Sequence, residues 1–284
     1  MLAALLALAA SFSWGTSNYL AGVETRTRSV WHVSALSQIA AAAASAVALV
    51  AARQSPPGGW DFVLLVLTGV TTAAGLVMFY KALAIGTMSV VAPIIAAQVL
   101  IPVTAGILLG ERPGLHAAVG MVVTVGGVVL VARTPRKEKQ NRTEAHHRAA
   151  RKAVILAVLT AVAWGFMLLV YGTVGKGNPV WTVFDTRATS AVVLAGYVLI
   201  TGRGLSLKGQ NVPVLAAIGI LLAMANFLFI AATGIGYLSV TSILGSLSPV
   251  VVTAYAQVLL HERLTPRQWA GFVAVFAGIV LLSV

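Results

Sequence analysis

The chain has 284 residues, 59% of them hydrophobic and 9% charged, with a formal net charge of +12 and no cysteine. That much apolar surface excludes a soluble domain, and uncharged stretches of about 20 residues, long enough for a ~30 Å hydrocarbon core, recur throughout. They are continuously apolar rather than alternating, so a polytopic helical protein is expected instead of a barrel, and disulfide or thiolate metal sites are excluded.

The first expected span, 2–22, lacks the basic n-region of a signal peptide and is read as a retained helix. It holds "SFSWGTSN", with Trp14 near mid-depth and Ser17 and Asn18 one turn on. Tryptophan normally marks the membrane interfaces, so this depth is unusual. Spans two to five are expected at 32–52, 62–85, 88–109 and 114–132. The third brings Tyr80 and the fourth Gln98 and Pro102 on one stripe. Arg133 to Lys152, with eight Lys or Arg, is read as a solvated linker. Spans six to ten follow at 153–173, 180–200, 212–234, 239–260 and 267–283. They carry Trp164, then Asn226 and Thr233, then a stripe of Ser242, Ser246, Pro249 and Thr253. Thr265 and Pro266 suit the N-cap and first turn of the last helix.

The halves repeat. "SFSWGTSNYL" matches "AVAWGFMLLV", and "AIGTMSVV" matches "GIGYLSVT", both at an offset of 150. "LLGER" matches "LLHER" at 151, and Gly120 and Gly127 match Gly271 and Gly278. The division is a first repeat at 1–132, the linker at 133–152 and a second repeat at 153–284. Five crossings per repeat insert the second copy upside down, a transporter plan with its site near mid-membrane between the copies. Fifteen of the 19 Lys and Arg fall on the linker's side, against Arg53, Arg112, Lys176 and Arg187 opposite. That bias predicts a cytoplasmic linker and both termini outside, and it accounts for the net charge without nucleic acid.

The paired "W-G", the "ALAIGTMSVVAP" and "ATGIGYLSVTSI" turns and the "LLGER" and "LLHER" ends resemble the drug/metabolite transporter superfamily. The branch that they resemble is the ten-helix type built from two EamA repeats, and within it the bacterial YddG-type aromatic amino-acid exporters. The resemblance implies an all-α multi-pass protein of the bacterial inner membrane that exports small metabolites. On one point it departs: many relatives are described with both termini in the cytoplasm, opposite to the charge count here.

Trp14 and Trp164, as repeat equivalents at depth, are expected to approach each other and either fill space or line a central cavity. The candidate substrate-binding residues are Trp14, Asn18, Tyr80, Gln98, Trp164, Asn226 and Ser246. Pro102 and Pro249 free carbonyls that a substrate ammonium could use. Lys81 either snorkels to the interface or attracts a carboxylate. Trp31, Trp60, Trp181 and Trp269 are read as interfacial anchors. Asp185 and Arg187 are placed at the outer end of helix seven, and all seven acidic residues near loops or helix ends. The related four-helix multidrug exporters use a buried glutamate in their first helix; its absence here argues against proton-for-cation antiport of that kind.

The function expected is secondary export of small neutral or zwitterionic metabolites, foremost amino acids, by alternating access around an uncharged cavity. The helices with glycine pairs, five and ten, would form its close-packed pivot. The alternatives are a carrier of nucleotide-sugars or drugs, and a receptor-like binding protein. An enzyme is not expected, since no carboxylate pair, metal cluster or activated nucleophile is visible at depth. Neither a cofactor nor a metal is expected; the partners are a small molecule and lipid, and the chain is expected to work as a monomer.

Overall fold

The computed structural model describes residues 2–101, 115–132, 144–175, 177–202, 205–207, 209–235, 244–245, 247–261 and 264–282. Among them the chain forms ten helices and no strand. They are α1 (Leu2–Thr27), α2 (Val30–Ala52), α3 (Gly59–Ile85), α4 (Met88–Ala96), α5 (Leu115–Ala132), α6 (Glu144–Thr173), α7 (Pro179–Ile200), α8 (Val212–Ile235), α9 (Ser248–Leu259) and α10 (Pro266–Leu282). A 3-10 turn, Ala97–Val99, continues α4. The protein is an all-α, multi-pass membrane protein, as its helix pattern predicts.

Composition decides which helices read as spans. By length and apolarity α2, α3, α7 and the stretches His147–Tyr171 of α6 and Val212–Ala232 of α8 can each cross a membrane. The first helix is long enough at 26 residues but buries Ser11, Ser13, Ser17, Asn18 and Thr25. Those groups are satisfied inside the bundle where they can be: Ser17 Oγ donates to the Ile218 carbonyl at 3.0 Å, and Thr25 Oγ1 to that of Ala21 at 2.9 Å. The outer faces stay apolar, with Phe12, Val47, Val50 and Ile200 all exposed, as lipid contact requires.

Local signals hold at the helix ends. Thr265 and Gln268 form a reciprocal capping box ahead of α10: Thr265 N–H donates to Gln268 Oε1 at 3.0 Å, and Gln268 N–H to Thr265 Oγ1 at 3.4 Å. One boundary moves. The basic segment expected as linker is already helical from Glu144, nine residues ahead of the expected span.

Glycines mark where the repeats cross, and the crossings come in reciprocal pairs. A Cβ on Gly15 (α1) would fall onto Val251 and reach the Ser248 carbonyl (α9) at 2.9 Å. A Cβ on Gly165 (α6) would fall onto Ile101 and reach the Gln98 carbonyl at 2.7 Å. Gly69 of α3 is pressed against Thr186 and Thr189 of α7, while Gly219 of α8 is pressed against Ser37 and Ala40 of α2. Each contact has its counterpart with the repeats exchanged, which is the signature of a two-fold relation.

The last helices fix the direction of that axis. On α5 Gly127 meets Gly271 and Val275 of α10, while Gly278 of α10 meets Gly120 and Thr124 of α5. Residue numbers rise along one helix as they fall along the other, so these equivalents run antiparallel. Only an axis perpendicular to both does this, and for membrane-spanning helices it lies in the membrane plane. The repeats are inverted, and the glycine helices are close-packed as expected.

At Gly127 the atoms in the way are the Val275 amide nitrogen at 2.6 Å and the Gly271 carbonyl at 2.8 Å. Backbone cannot swing aside as a side chain does. Gly127→Leu is therefore expected to cost about 1–3 kcal/mol or to abolish folding, read as lost monodispersity and a lowered unfolding temperature in detergent. Gly126→Leu, where a Cβ meets nothing within 4 Å, is the matched control.

Candidate functional site

The two deep indoles do not meet; no ring contact joins Trp14 to Trp164. Each docks instead on the third helix of the opposite repeat. Trp14 packs on Phe229 of α8 with ring centroids 5.4 Å apart, and Trp164 on Phe79 of α3 at 5.0 Å. Phe79 and Phe229 are themselves 150 apart, so this is one contact made twice. The expectation that equivalent indoles would face each other fails because helices one and six cross the third helices, which hold the rings apart. Both indoles are partly buried against the large apolar cluster of the bundle and do not point into lipid.

Their polar ends differ. Trp14 Nε1 donates to Asn226 Oδ1 at 3.1 Å. Trp164 Nε1 has no partner: at the offset of 150 the counterpart of Asn226 is Leu76, and the nitrogen lies against Gly75, 2.8 Å from the position of a Cβ there. Asn226 is fully buried, and its Nδ2 is left without an acceptor. One turn along α1, Asn18 is buried with Oδ1 lacking a donor. Thus α8 carries an unused donor and α1 an unused acceptor, both buried.

The other expected residues scatter. Gln98 lies in the 3-10 turn with Oε1 unpartnered, its backbone against Gly165 beside Trp164. Tyr80 is fully buried elsewhere, near Arg187. Ser246, with Ser242 and Pro102, lies outside the described residues, as does the side chain of Thr233. Pro249 sits in the first turn of α9, where a missing N–H costs nothing; Leu244 and Gly245 ahead of it are helical and Leu247 is a turn, so the expected span is interrupted just before the proline. The start of α9 is nonetheless close to the indole, with the position of a Gly245 Cβ 3.7 Å from Trp14 Cζ3. Between the repeats the crossings match Gln98 to Ser248, so the offset of 150 persists to there. Lys81 holds its ammonium 5.8 Å above the Trp31 ring. Trp60 is exposed, and Trp181 Nε1 donates to the Gln54 carbonyl at 2.8 Å near a helix start.

The largest correction concerns charge. Arg187 is the ninth residue of the 22-residue helix α7, close to its midpoint, and is 3% exposed. Asp185, two residues earlier, is also buried. An apparent helix end is in fact mid-span, and the interior is not uncharged. Insertion scales put such a guanidinium at roughly 3 kcal/mol at the bilayer centre, so an intramembrane arginine is a functional candidate by default. Arg187 Nη1 donates to Gln38 Oε1 at 3.2 Å. Gln38 is likewise the ninth residue of its helix, α2. A sequence signal existed: Val30-Trp31-His32-Val33 and Val180-Trp181-Thr182-Val183 repeat at 150 and set Arg187 against buried positions of α2. Contact between near-equivalent sites of matched helices marks the pseudo-axis.

The sequence pattern of the EamA-like transporter family matches residues 1–133 and 151–284. An uncharacterized protein of Methanocaldococcus jannaschii is 28% identical over 135 residues, which are 46% of this chain and 96% of that protein. That relative therefore has about the length of one repeat. A crystal structure of a protein superposes on 98% of this chain and 97% of its own with a TM-score of 0.69 at 16% identity, a likeness of fold.

Asn226→Leu should leave the Trp14 N–H buried and unpaired, at a cost of about 1–3 kcal/mol in unfolding from mixed micelles. Adding Trp14→Phe removes the stranded donor, so the double variant is expected to lose less than the sum of the singles.

Proposed function

The chain belongs to the EamA-like transporter family, and on that premise we propose that it exports small neutral or zwitterionic metabolites, amino acids foremost. It is a membrane transporter of small molecules; the cargo, the direction and the mechanism are our reading. The observation that carries it is the crossed docking of Trp14 on Phe229 and Trp164 on Phe79. Each first helix is bound through an indole to the other repeat, so a rocking of one repeat against the other shifts both indoles together. Alternating access about a site between inverted repeats follows from such an arrangement.

The polar groups near the indoles support a substrate with both donors and acceptors. Asn226 Nδ2 and Asn18 Oδ1 are neutral, buried and unused. Aromatic faces beside them favour an apolar or aromatic side chain by stacking, which contributes about 0.5–1.5 kcal/mol beyond area burial. An aromatic amino acid of the kind exported by YddG-type proteins combines these features. The reading extends to a monomer working in a bacterial inner membrane, and the excess of Lys and Arg on the linker's side supports a cytoplasmic linker with both termini outside.

Counterflow of labelled amino acids into proteoliposomes tests the cargo. Trp14→Ala and Trp164→Ala should each lower flux at least tenfold (about 1.4 kcal/mol or more) while the purified variants remain monodisperse. Wild-type flux in both would assign the indoles to packing, and no flux of any amino acid would remove the cargo assignment. Because the chain has no cysteine, single cysteines placed in the linker and at each terminus report orientation by membrane-impermeant labelling. Only the termini are expected to react from outside.

A further inference from the structure

A second polar centre lies at the pseudo-axis. Around Arg187 stand Gln38 and Tyr80, both 0% exposed, and Tyr171, 4% exposed. They come from four different helices, α7, α2, α3 and α6, so both repeats contribute. Arg187 donates once, to Gln38 Oε1. Arg187 Nε, Gln38 Nε2, Tyr80 Oη and Tyr171 Oη are all buried without a hydrogen-bond partner. Tyr80 Oη lies beside the Ser37 hydroxyl and Tyr171 Oη beside that of Thr186, neutral groups at the edge of hydrogen-bonding reach. Both phenols lie within electrostatic reach of the guanidinium.

The chemistry of this set is one-sided. The guanidinium and the amide nitrogen can only donate, and each phenol has a hydrogen to give. Leaving one such buried group unmade costs about 1–3 kcal/mol. Four around one cation, at the place where the repeats meet, call for an acceptor that carries negative charge. Asp185 does not pair with Arg187: two positions along a helix do not face each other, and no ion pair joins the two among the described residues; its carboxylate lies instead within electrostatic reach of Tyr171, with Oδ2 unpartnered. A planar carboxylate, with two oxygens and about four lone-pair directions, matches the donors in number and in charge.

We propose that Arg187, Gln38, Tyr80 and Tyr171 form a carboxylate-binding site, and that the cargo is held there by its carboxylate group. For access this rests on the alternating-access reading above, since the site is closed to bulk solvent here; its chemistry rests on the buried donors alone. Bound carboxylate neutralises a cation that otherwise stands with a single neutral partner. An amino acid then places its charge on Arg187 and is distinguished from the corresponding amine or amide by that contact.

The test is binding to the intact protein in detergent, independent of flux. Acetate, L-alanine, 3-phenylpropionate and L-phenylalanine are each titrated against their carboxamides, with thermal stability and affinity as readouts. At least one carboxylate should stabilise the protein and its carboxamide should not. Arg187→Gln should weaken that binding roughly a hundredfold. Tyr80→Phe and Tyr171→Phe, which conserve shape, should weaken it about three- to tenfold and keep the site measurable should Arg187→Gln not fold. Protection by no carboxylate, or equal protection by carboxylate and carboxamide, overturns the proposal and leaves Arg187 a structural cation. Unchanged affinity in both tyrosine variants overturns the assignment of the donors. Carboxylate binding without counterflow would keep this site and sink the transport reading, whereas flux that ignores the carboxylate would do the reverse.

Discussion

Contact between helix backbones at glycine is the constraint on which the rest of this architecture depends. In lipid, two apolar helices gain nothing by hiding from their solvent, and association comes from close packing and hydrogen bonds. Here the backbone of one repeat occupies the space that a methyl on the other would fill. Gly15 takes the Ser248 carbonyl, Gly165 that of Gln98, Gly127 that of Gly271 and Gly278 that of Gly120. All of these crossings join one repeat to the other. The two copies consequently form one interlocked bundle, and its shared apolar cluster draws residues from both.

Packing is symmetric and chemistry is not. The indole and phenylalanine pairs repeat at an offset of 150, yet Trp14 finds an amide acceptor at Asn226, and its counterpart Trp164 finds Gly75 and no acceptor. In the second helices of the repeats, an arginine stands against a glutamine, so the guanidinium meets no opposite charge from its counterpart helix. Symmetry of shape allows the halves to exchange roles. The unlike polar groups give the interior a sign and a direction.

Much of the fold was legible in the sequence because periodicity and duplication are properties of one dimension. Most described helices, the N-cap at Thr265 and the glycine pairs of α5 and α10 were readable. Inversion followed from an odd number of spans. The site was less legible. Apolar runs blur over a turn at each end, so Arg187 was assigned to a margin although it lies 12 Å into its helix at about 1.5 Å per residue. The offset of 151 at the "LLGER" end does not reach back to Gln98, which the packing makes the counterpart of Ser248 at 150. Which helix each indole would reach was beyond spacing altogether, since period fixes the face of a helix and not its neighbour.

The sixth helix has 30 residues, at 1.5 Å per residue about 45 Å, half as long again as the hydrocarbon slab it crosses. Its first turns, with Arg148, Arg151 and Lys152 exposed, therefore stand among lipid headgroups on the same rigid rod that carries Trp164. Twelve residues, about 18 Å, separate Lys152 from that indole. Acidic phospholipid gathered around the basic collar would tug on a stiff lever whose far arm ends in the transporter's interior. A pull on that collar would be felt at the indole, since one helix carries both.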